Sequence, residues 1–147
     1  MRIVLDTNIL ARATPGRDSP ATQVLFHTIQ SPHVLLASEF LLDELDRVLR
    51  YDRLRRIHGL SDEEIDRFVQ FVRQGSQIVK LPSGISEPVV VNDPEDDSIL
   101  ATAILGKANV LSTLDRHLRT EPVKEYAAER GVRIVTDVEL LKELRGG

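Results

Sequence analysis

Continuous runs of apolar residues alternate along the chain with segments in which apolar residues recur every three or four positions. A run without alternating polar residues predicts a strand buried on both faces, and the wider spacing predicts an amphipathic helix. The predicted strands are residues 2–5, 33–37, 77–81, 108–112 and 132–135. The predicted helices run from Ser19-Pro20 to Ser31-Pro32 and over residues 39–51, 61–75, 98–106, 122–131 and 137–144, with a short helical pattern directly after residue 8.

This order of elements predicts the fold class. Strands that alternate with helices form a mostly parallel sheet, so we expect a three-layer α/β domain with helices on both faces of a central sheet. Residues 82–95 are predicted to be mostly loop, although the valines at 89–91 could form a short strand.

The composition excludes several classes of site. At 147 residues, with 41% hydrophobic and 29% charged residues, the chain is expected to fold as one domain over residues 1–147. The net charge of −4 provides no overall positive field to attract nucleic acid. There is no cysteine, and the four histidines are far apart, so disulfides, thiolate chemistry and a zinc site are not expected. No signal peptide or membrane span is recognisable, so the expected location is the cytoplasm.

Two of the predicted strands lead directly into acidic residues. The first strand is followed by Asp6-Thr7-Asn8, and the fourth is followed by Thr113-Leu114-Asp115. Parallel strands present their carboxyl ends at one edge of the sheet, where ligands of open α/β folds bind, so Asp6 and Asp115 are expected to lie at that edge. Taken alone, the first triplet is better explained as a cap of the following helix.

Two further acidic residues are predicted on the core side of helices. Glu44 lies about 60° around its helix from Leu41, at the edge of the apolar stripe. Its stem could instead cover the stripe while its carboxylate reaches water. Asp96 projects towards the core side of its helix, whereas Asp97 is better explained as a first-turn acid that complements the helix dipole. Asp93, on the preceding loop, could cap that helix or serve as an additional ligand.

The four acids together predict a metal site. Converging carboxylates repel one another, so a hard divalent cation is their natural counter-charge, and oxygen ligands favour Mg²⁺ or Mn²⁺. Such an ion can activate a bound water, and two ions about 3.5–4 Å apart can stabilise both oxygens of an in-line phosphoryl displacement. Each acid alone can be explained by a structural role. If all four had only structural roles, their shared arrangement would be a coincidence.

Four segments carry a resemblance to a known family. They are Ile3-Val4-Leu5-Asp6-Thr7-Asn8, residues 38–49, Asp93-Pro94-Glu95-Asp96-Asp97 and Leu111-Ser112-Thr113-Leu114-Asp115. Over nearly its whole length the chain resembles the PIN-domain ribonucleases, particularly the VapC-like group described as toxins of toxin–antitoxin pairs. The resemblance implies that the metal-binding and catalytic acids are Asp6, Glu44, Asp96 and Asp115, supported by Asn8, Ser38 and Thr113, with Asp93 and Asp97 as possible additional ligands. Leu114 stands where members often have a small residue, which could alter the approach to Asp115.

The same resemblance implies an activity and partners. It implies cleavage of single-stranded or structured RNA that depends on Mg²⁺ or Mn²⁺ and uses an activated water as nucleophile. It also implies homodimerisation and inhibition by a small cognate antitoxin protein.

Basic residues form the candidate RNA surface. They are Arg47, Arg50, Arg53, Arg55 and Arg56, together with Arg116 and His117 beside the last acid. Most basic runs of this kind are solvated helix faces, and phosphate contact is the functional alternative.

Two other functions stay open on the sequence alone. Asp6 could be the covalent nucleophile of a phosphatase or phosphotransfer domain, although no second aspartate follows two residues later. A non-catalytic PIN-like scaffold that binds RNA or protein would need no metal.

Overall fold

The computed structural model describes residues 1–82 and 94–146, with side chains in the second range described from residue 98 onward. The elements in chain order are β1 (Arg2–Leu5), α1 (Thr7–Leu10), α2 (Pro20–Thr28), β2 (Val34–Ala37), α3 (Glu39–Leu49), α4 (Asp52–His58), α5 (Asp62–Gln74), β3 (Ser76–Ile78), α6 (Pro94–Leu105), β4 (Val110–Ser112), α7 (Glu121–Ala128), β5 (Arg133–Val135) and α8 (Asp137–Gly146).

Within these ranges the strands form one sheet in the order β3-β2-β1-β4-β5, and every neighbouring pair is parallel. Val4 of β1 lies opposite Leu36 of β2 and Leu111 of β4, so β1 is the central strand. The predicted three-layer α/β fold with a parallel sheet flanked by helices is confirmed.

Burial of the central strand explains why it can be recognised in the sequence. Ile3, Val4 and Leu5 have no solvent exposure, so no polar residue is needed on either face. The flanking helices bury single stripes, for example Leu45 of α3 and Ile65 of α5, and keep their charged faces in solvent.

The third strand differs from its prediction. It covers Ser76–Ile78 rather than residues 77–81, although the Val79 amide still donates a hydrogen bond to the Ala37 carbonyl at 2.7 Å. This strand lies at the edge of the sheet, and Gln77 and Ile78 are exposed. Its sequence therefore lacks the apolar run that marks a buried strand.

Two helices also differ from their predictions. The basic run continues into a separate helix, α4, which the apolar pattern does not predict because none of its residues is buried. Helix α6 begins at Pro94, before the predicted start at residue 98, because proline is favourable in the first turn of a helix and the apolar pattern begins only later. The predicted short strand at 89–91 lies outside the described residues.

Helices α3 and α5 pack side by side in opposite directions. At one end Glu39 of α3 forms an ion pair with Arg73 of α5, and at the other end Arg50 binds Asp62 at 2.9 Å. Helix α3 begins at the carboxyl end of β2, and α4 follows the other end of α3. The length of α3 therefore places α4 about 16 Å from the edge of the sheet at which the strands end.

In the described ranges, none of the helices combines the length and apolar character that a membrane span requires.

Candidate active site

Asp6 lies directly after the central strand and is 4% exposed. Its backbone amide donates to the Ser112 carbonyl at 2.9 Å, which extends the pairing of β1 with β4 by one residue. Its side chain caps α1, since Oδ1 accepts a hydrogen bond from the Thr7 amide at 2.7 Å. The capping explanation is therefore correct, but it accounts for only one of the two carboxylate oxygens.

The hydroxyl of Thr113 engages the second oxygen. Thr113 follows β4, has no solvent exposure, and donates to Oδ2 of Asp6 at 2.7 Å. The same hydroxyl oxygen accepts a hydrogen bond from the Asp115 amide at 3.0 Å. One buried threonine thus joins the ends of two neighbouring strands and fixes both predicted strand-end acids.

Asn8 supports the same loop from the first turn of α1. Its Oδ1 accepts a hydrogen bond from the Leu114 amide at 3.2 Å, and its Nδ2 lies 3.4 Å from Oδ2 of Asp6. Asp115 is half-buried, and its Oδ1 accepts from the His117 amide at 2.9 Å. Asn8 and Thr113 thus both contact Asp6 and the loop of Asp115, and their role in supporting a metal site stays a prediction.

Ser38 and Glu44 are both placed by α3, which begins where β2 ends. Ser38 is 1% exposed and caps the helix, because its Oγ accepts from the Leu41 amide at 3.3 Å. Strand β2 is a direct neighbour of β1, so this helix start belongs to the same sheet edge as Asp6. Glu44 is half-buried, with its Oε2 shielded from solvent.

The remaining candidate acids belong to the segment before and at the start of α6. Because α6 begins at Pro94, residues 96 and 97 lie in its first turn. Their side chains, and the whole of Asp93, fall outside the described residues, so the choice of ligand among these three stays a prediction. Among the side chains that are described, no group of three or more acidic or histidine residues forms a metal cluster.

The described part of the edge fits a divalent cation in its chemistry. Both strand-end residues supply carboxylate oxygens, and those of Asp6 accept hydrogen bonds from the Thr7 amide and the Thr113 hydroxyl. Asp115 forms no ion pair with any described residue, so no arginine or lysine there supplies its counter-charge. Oxygen donors of this kind suit Mg²⁺ and Mn²⁺ rather than softer metals.

The basic residues separate into two groups. Arg50 binds Asp46 and Asp62 at 3.0 and 2.9 Å, and Arg55 also pairs with Asp62. The hydrogen bond to Asp46, and after it the one to Asp66, raises the pKa of Arg50 above its ordinary value. The exposed members of the basic set are Arg47, Arg53, Arg56, Arg116 and His117.

One further residue at this edge is absent from the sequence prediction. Thr102 of α6 is fully buried, and its hydroxyl lies 2.9 Å from Oγ of Ser38. A threonine inside an apolar helix gives no sequence signal of such a contact, because threonine hydroxyls in helices commonly bind their own backbone.

Comparison with known proteins agrees with this arrangement. A family model described as PIN domain matches residues 2–117, that is 116 of the 147 residues. No curated protein sequence matches the chain. PIN domains are generally nucleases and generally use divalent metal ions. The matched range begins in β1 and extends past Asp115, so it contains both strand-end acids and the hydroxyl between them. The chain belongs to the PIN-domain family.

Proposed function

We propose that this protein is a Mg²⁺- or Mn²⁺-dependent endoribonuclease. The observation that carries the proposal is the Thr113 hydroxyl, which binds the Asp6 carboxylate and the Asp115 amide at once. A helix cap needs only the Thr7 contact, whereas this second contact joins the Asp6 carboxylate to the backbone of Asp115, which follows a different strand. Membership of a nuclease family agrees with this use of the edge.

In this proposal the acids hold the cation and place the reacting water. Asp6, Asp96 and Asp115 bind the metal directly, and Glu44 completes its surroundings or orients the water. The metal supplies an activated water and stabilises charge that develops on the phosphodiester. Thr113 and Asn8 keep Asp6 and the loop of Asp115 in place before substrate arrives, which reduces the reorganisation needed during reaction.

We further propose that the enzyme is the toxin of a toxin–antitoxin pair. The support is the likeness to the VapC-like group over the four segments described above. On this proposal the protein forms a homodimer, acts on RNA in the cytoplasm and is inhibited by a small cognate antitoxin protein. Arg47, Arg53, Arg56 and Arg116 are exposed cations that can contact the RNA backbone.

Cleavage of an end-labelled RNA in the presence of Mg²⁺, Mn²⁺ or a chelator tests the proposal. The wild type should cleave only with metal. Residues that only orient metal ligands already change activity by about 10–100-fold when they are replaced. Asp115→Asn and Glu44→Gln, which change the proposed ligands themselves, should therefore each lower the cleavage rate by at least about a hundredfold. The matched control is Asp43→Asn, which changes the exposed acid next to Glu44 on α3 and should cleave as the wild type does.

Two results would overturn the proposal. One is cleavage that persists in chelator. The other is a wild type that binds RNA but leaves it intact with every metal, which would favour the scaffold function instead.

A further inference from the structure

Two buried hydroxyls connect helix α6 to the start of α3. Thr102 has no solvent exposure, and its Oγ1 lies 2.9 Å from Oγ of Ser38 and 2.8 Å from the Ser98 carbonyl. Ser38 Oγ in turn accepts the Leu41 amide at 3.3 Å. The four groups therefore form a continuous chain from the first turn of α3 to residues 98–102 of α6.

The Thr102 hydroxyl is the donor in both of its contacts. It carries one proton, which Oγ of Ser38 and the Ser98 carbonyl share as acceptors. Ser38 Oγ therefore accepts from the Leu41 amide and from Thr102. Successive hydrogen bonds in a dry interior strengthen one another, and loss of one member leaves a buried polar group without its partner.

Helix α6 needs a directional contact of this kind. Its buried residues, such as Ile99, Leu100 and Ala103, are apolar and hold the helix by contacts without directional preference. At its far end the Gly106 carbonyl accepts two hydrogen bonds from the Arg2 guanidinium at 2.9 and 3.1 Å. The contact of Thr102 with Ser38 lies one turn earlier and joins the same half of α6 to the start of α3.

We infer that Thr102 is a positioning residue for the metal site, acting through Ser38. The inference rests on the proposed function, because residues 96 and 97 lie in the first turn of α6 and Glu44 lies on α3. The hydroxyl chain fixes α6 against the start of α3, and so fixes the backbones of the two helices relative to each other. A metal site works only when its ligands are held to within about 0.5 Å, so a small shift of α6 weakens binding.

The test compares Mn²⁺ affinity, measured by calorimetry, in Thr102→Val, Thr102→Ser and the wild type. Valine keeps the shape of threonine and removes the hydroxyl, so we expect affinity to fall about 10–100-fold, as for other groups that orient ligands. Serine restores the hydroxyl and should return affinity to within about threefold of the wild type. Equal affinity in Thr102→Val and the wild type would overturn the inference, as would equal losses in the valine and serine variants.

Thr28→Val is the matched control. Thr28 is also fully buried in a helix, but its hydroxyl binds only the Leu25 carbonyl of its own helix at 3.0 Å. This variant should keep the wild-type affinity for Mn²⁺. A loss as large as that of Thr102→Val would show that any buried threonine has this effect and would also overturn the inference.

Amide hydrogen exchange in the metal-free protein separates failure of this inference from failure of the proposed function. In Thr102→Val the amides of Leu41 and of residues 98–105 of α6 should exchange about tenfold faster than in the wild type, and those of α2 should not change. If the wild type bound no Mn²⁺, the proposed function would fail, and the exchange rates would still decide whether Thr102 fixes α6. Unchanged exchange at Leu41 and α6 would overturn that role.

Discussion

The Thr113 hydroxyl donates to Oδ2 of Asp6 at 2.7 Å, although the two residues are 107 positions apart in the chain. The contact is possible because β1 and β4 are adjacent parallel strands whose carboxyl ends coincide. This hydrogen bond links the ends of the two strands at the edge of the sheet.

Removing this hydroxyl should destabilise the protein. Thr113→Val leaves a buried oxygen of Asp6 and the Asp115 amide each short of a hydrogen bond, so we expect a loss of about 1–3 kcal/mol in the free energy of unfolding. Urea denaturation measures it. Thr14→Val is the control, because Thr14 is equally buried and its hydroxyl has no hydrogen-bond partner among the described residues, so its replacement should be neutral or stabilising. Equal losses in the two variants would contradict this account of the edge.

Gly106, just after α6, has no room for a side chain. A Cβ there would lie 2.8 Å from Cγ2 of Val79, 2.9 Å from the Thr102 carbonyl oxygen and 3.1 Å from Cδ1 of Leu36. Gly106→Ala should therefore lower the free energy of unfolding by about 1–3 kcal/mol, as overpacked substitutions do. Gly146→Ala, where a Cβ would meet nothing within 4 Å, should leave the thermal midpoint nearly unchanged. A stable Gly106→Ala variant would show that α6 can move away from the sheet at little cost.

The ion pair between Glu39 and Arg73 predicts a dependence of stability on pH. The Arg73 guanidinium, by hydrogen bonding, holds the pKa of Glu39 below its ordinary value of 4.5. Since the folded pKa is the lower one, the pair stabilises the protein above about pH 4.5, and this contribution is lost as the pH falls through the folded pKa. Both side chains are partly exposed, so the contribution should be only about 0.2–1 kcal/mol.

Urea denaturation of Arg73→Gln at several pH values measures this contribution. The variant should be less stable than the wild type at neutral pH, and the difference should shrink as the pH falls below 4.5 and through the folded pKa, because protonated Glu39 no longer pairs. Arg67→Gln, which changes another exposed arginine of α5, provides the comparison. A difference that stays constant while the pH is lowered until Glu39 is protonated would exclude the ion pair as its cause.

The exposed arginines of α4 should contribute more to RNA binding than exposed arginines elsewhere on the protein. Arg53→Glu combined with Arg56→Glu removes two exposed cations of α4, so the slope of log affinity against log salt should fall by about 1.4, or 0.7 for each lost phosphate contact. Fluorescence anisotropy with the Asp6→Asn background, which should not cleave, measures binding alone. Arg130→Glu combined with Arg145→Glu makes the same change in net charge just after α7 and on α8, and should affect the slope less. If the slope were the same in all variants, the arginines of α4 would not contact the RNA.

Much of the fold and part of the site can be predicted from the sequence, for physical reasons. Fully buried strands such as β1 need apolar residues on both faces, so they are visible as unbroken runs, and the acids that follow them are placed by the parallel topology. The edge strand β3 and the exposed helix α4 bury too little to leave a pattern. Thr102 escapes prediction because its partner Ser38 lies 64 positions away, and local sequence carries no trace of a contact between two small hydroxyls.

The central claim is that the strand-end acids hold a divalent cation, and Mn²⁺ titration by calorimetry tests it most directly. Asp6→Asn should lose at least about tenfold in affinity relative to the wild type. Asp137→Asn is the matched control, because Asp137 is also buried, at 6% exposure, and its Oδ1 accepts a hydrogen bond from the Val138 amide at 2.9 Å, as Asp6 does from Thr7. The account predicts that the control binds Mn²⁺ as the wild type does. A wild type that binds no Mn²⁺, or an Asp6→Asn variant that binds it equally well, would contradict the claim.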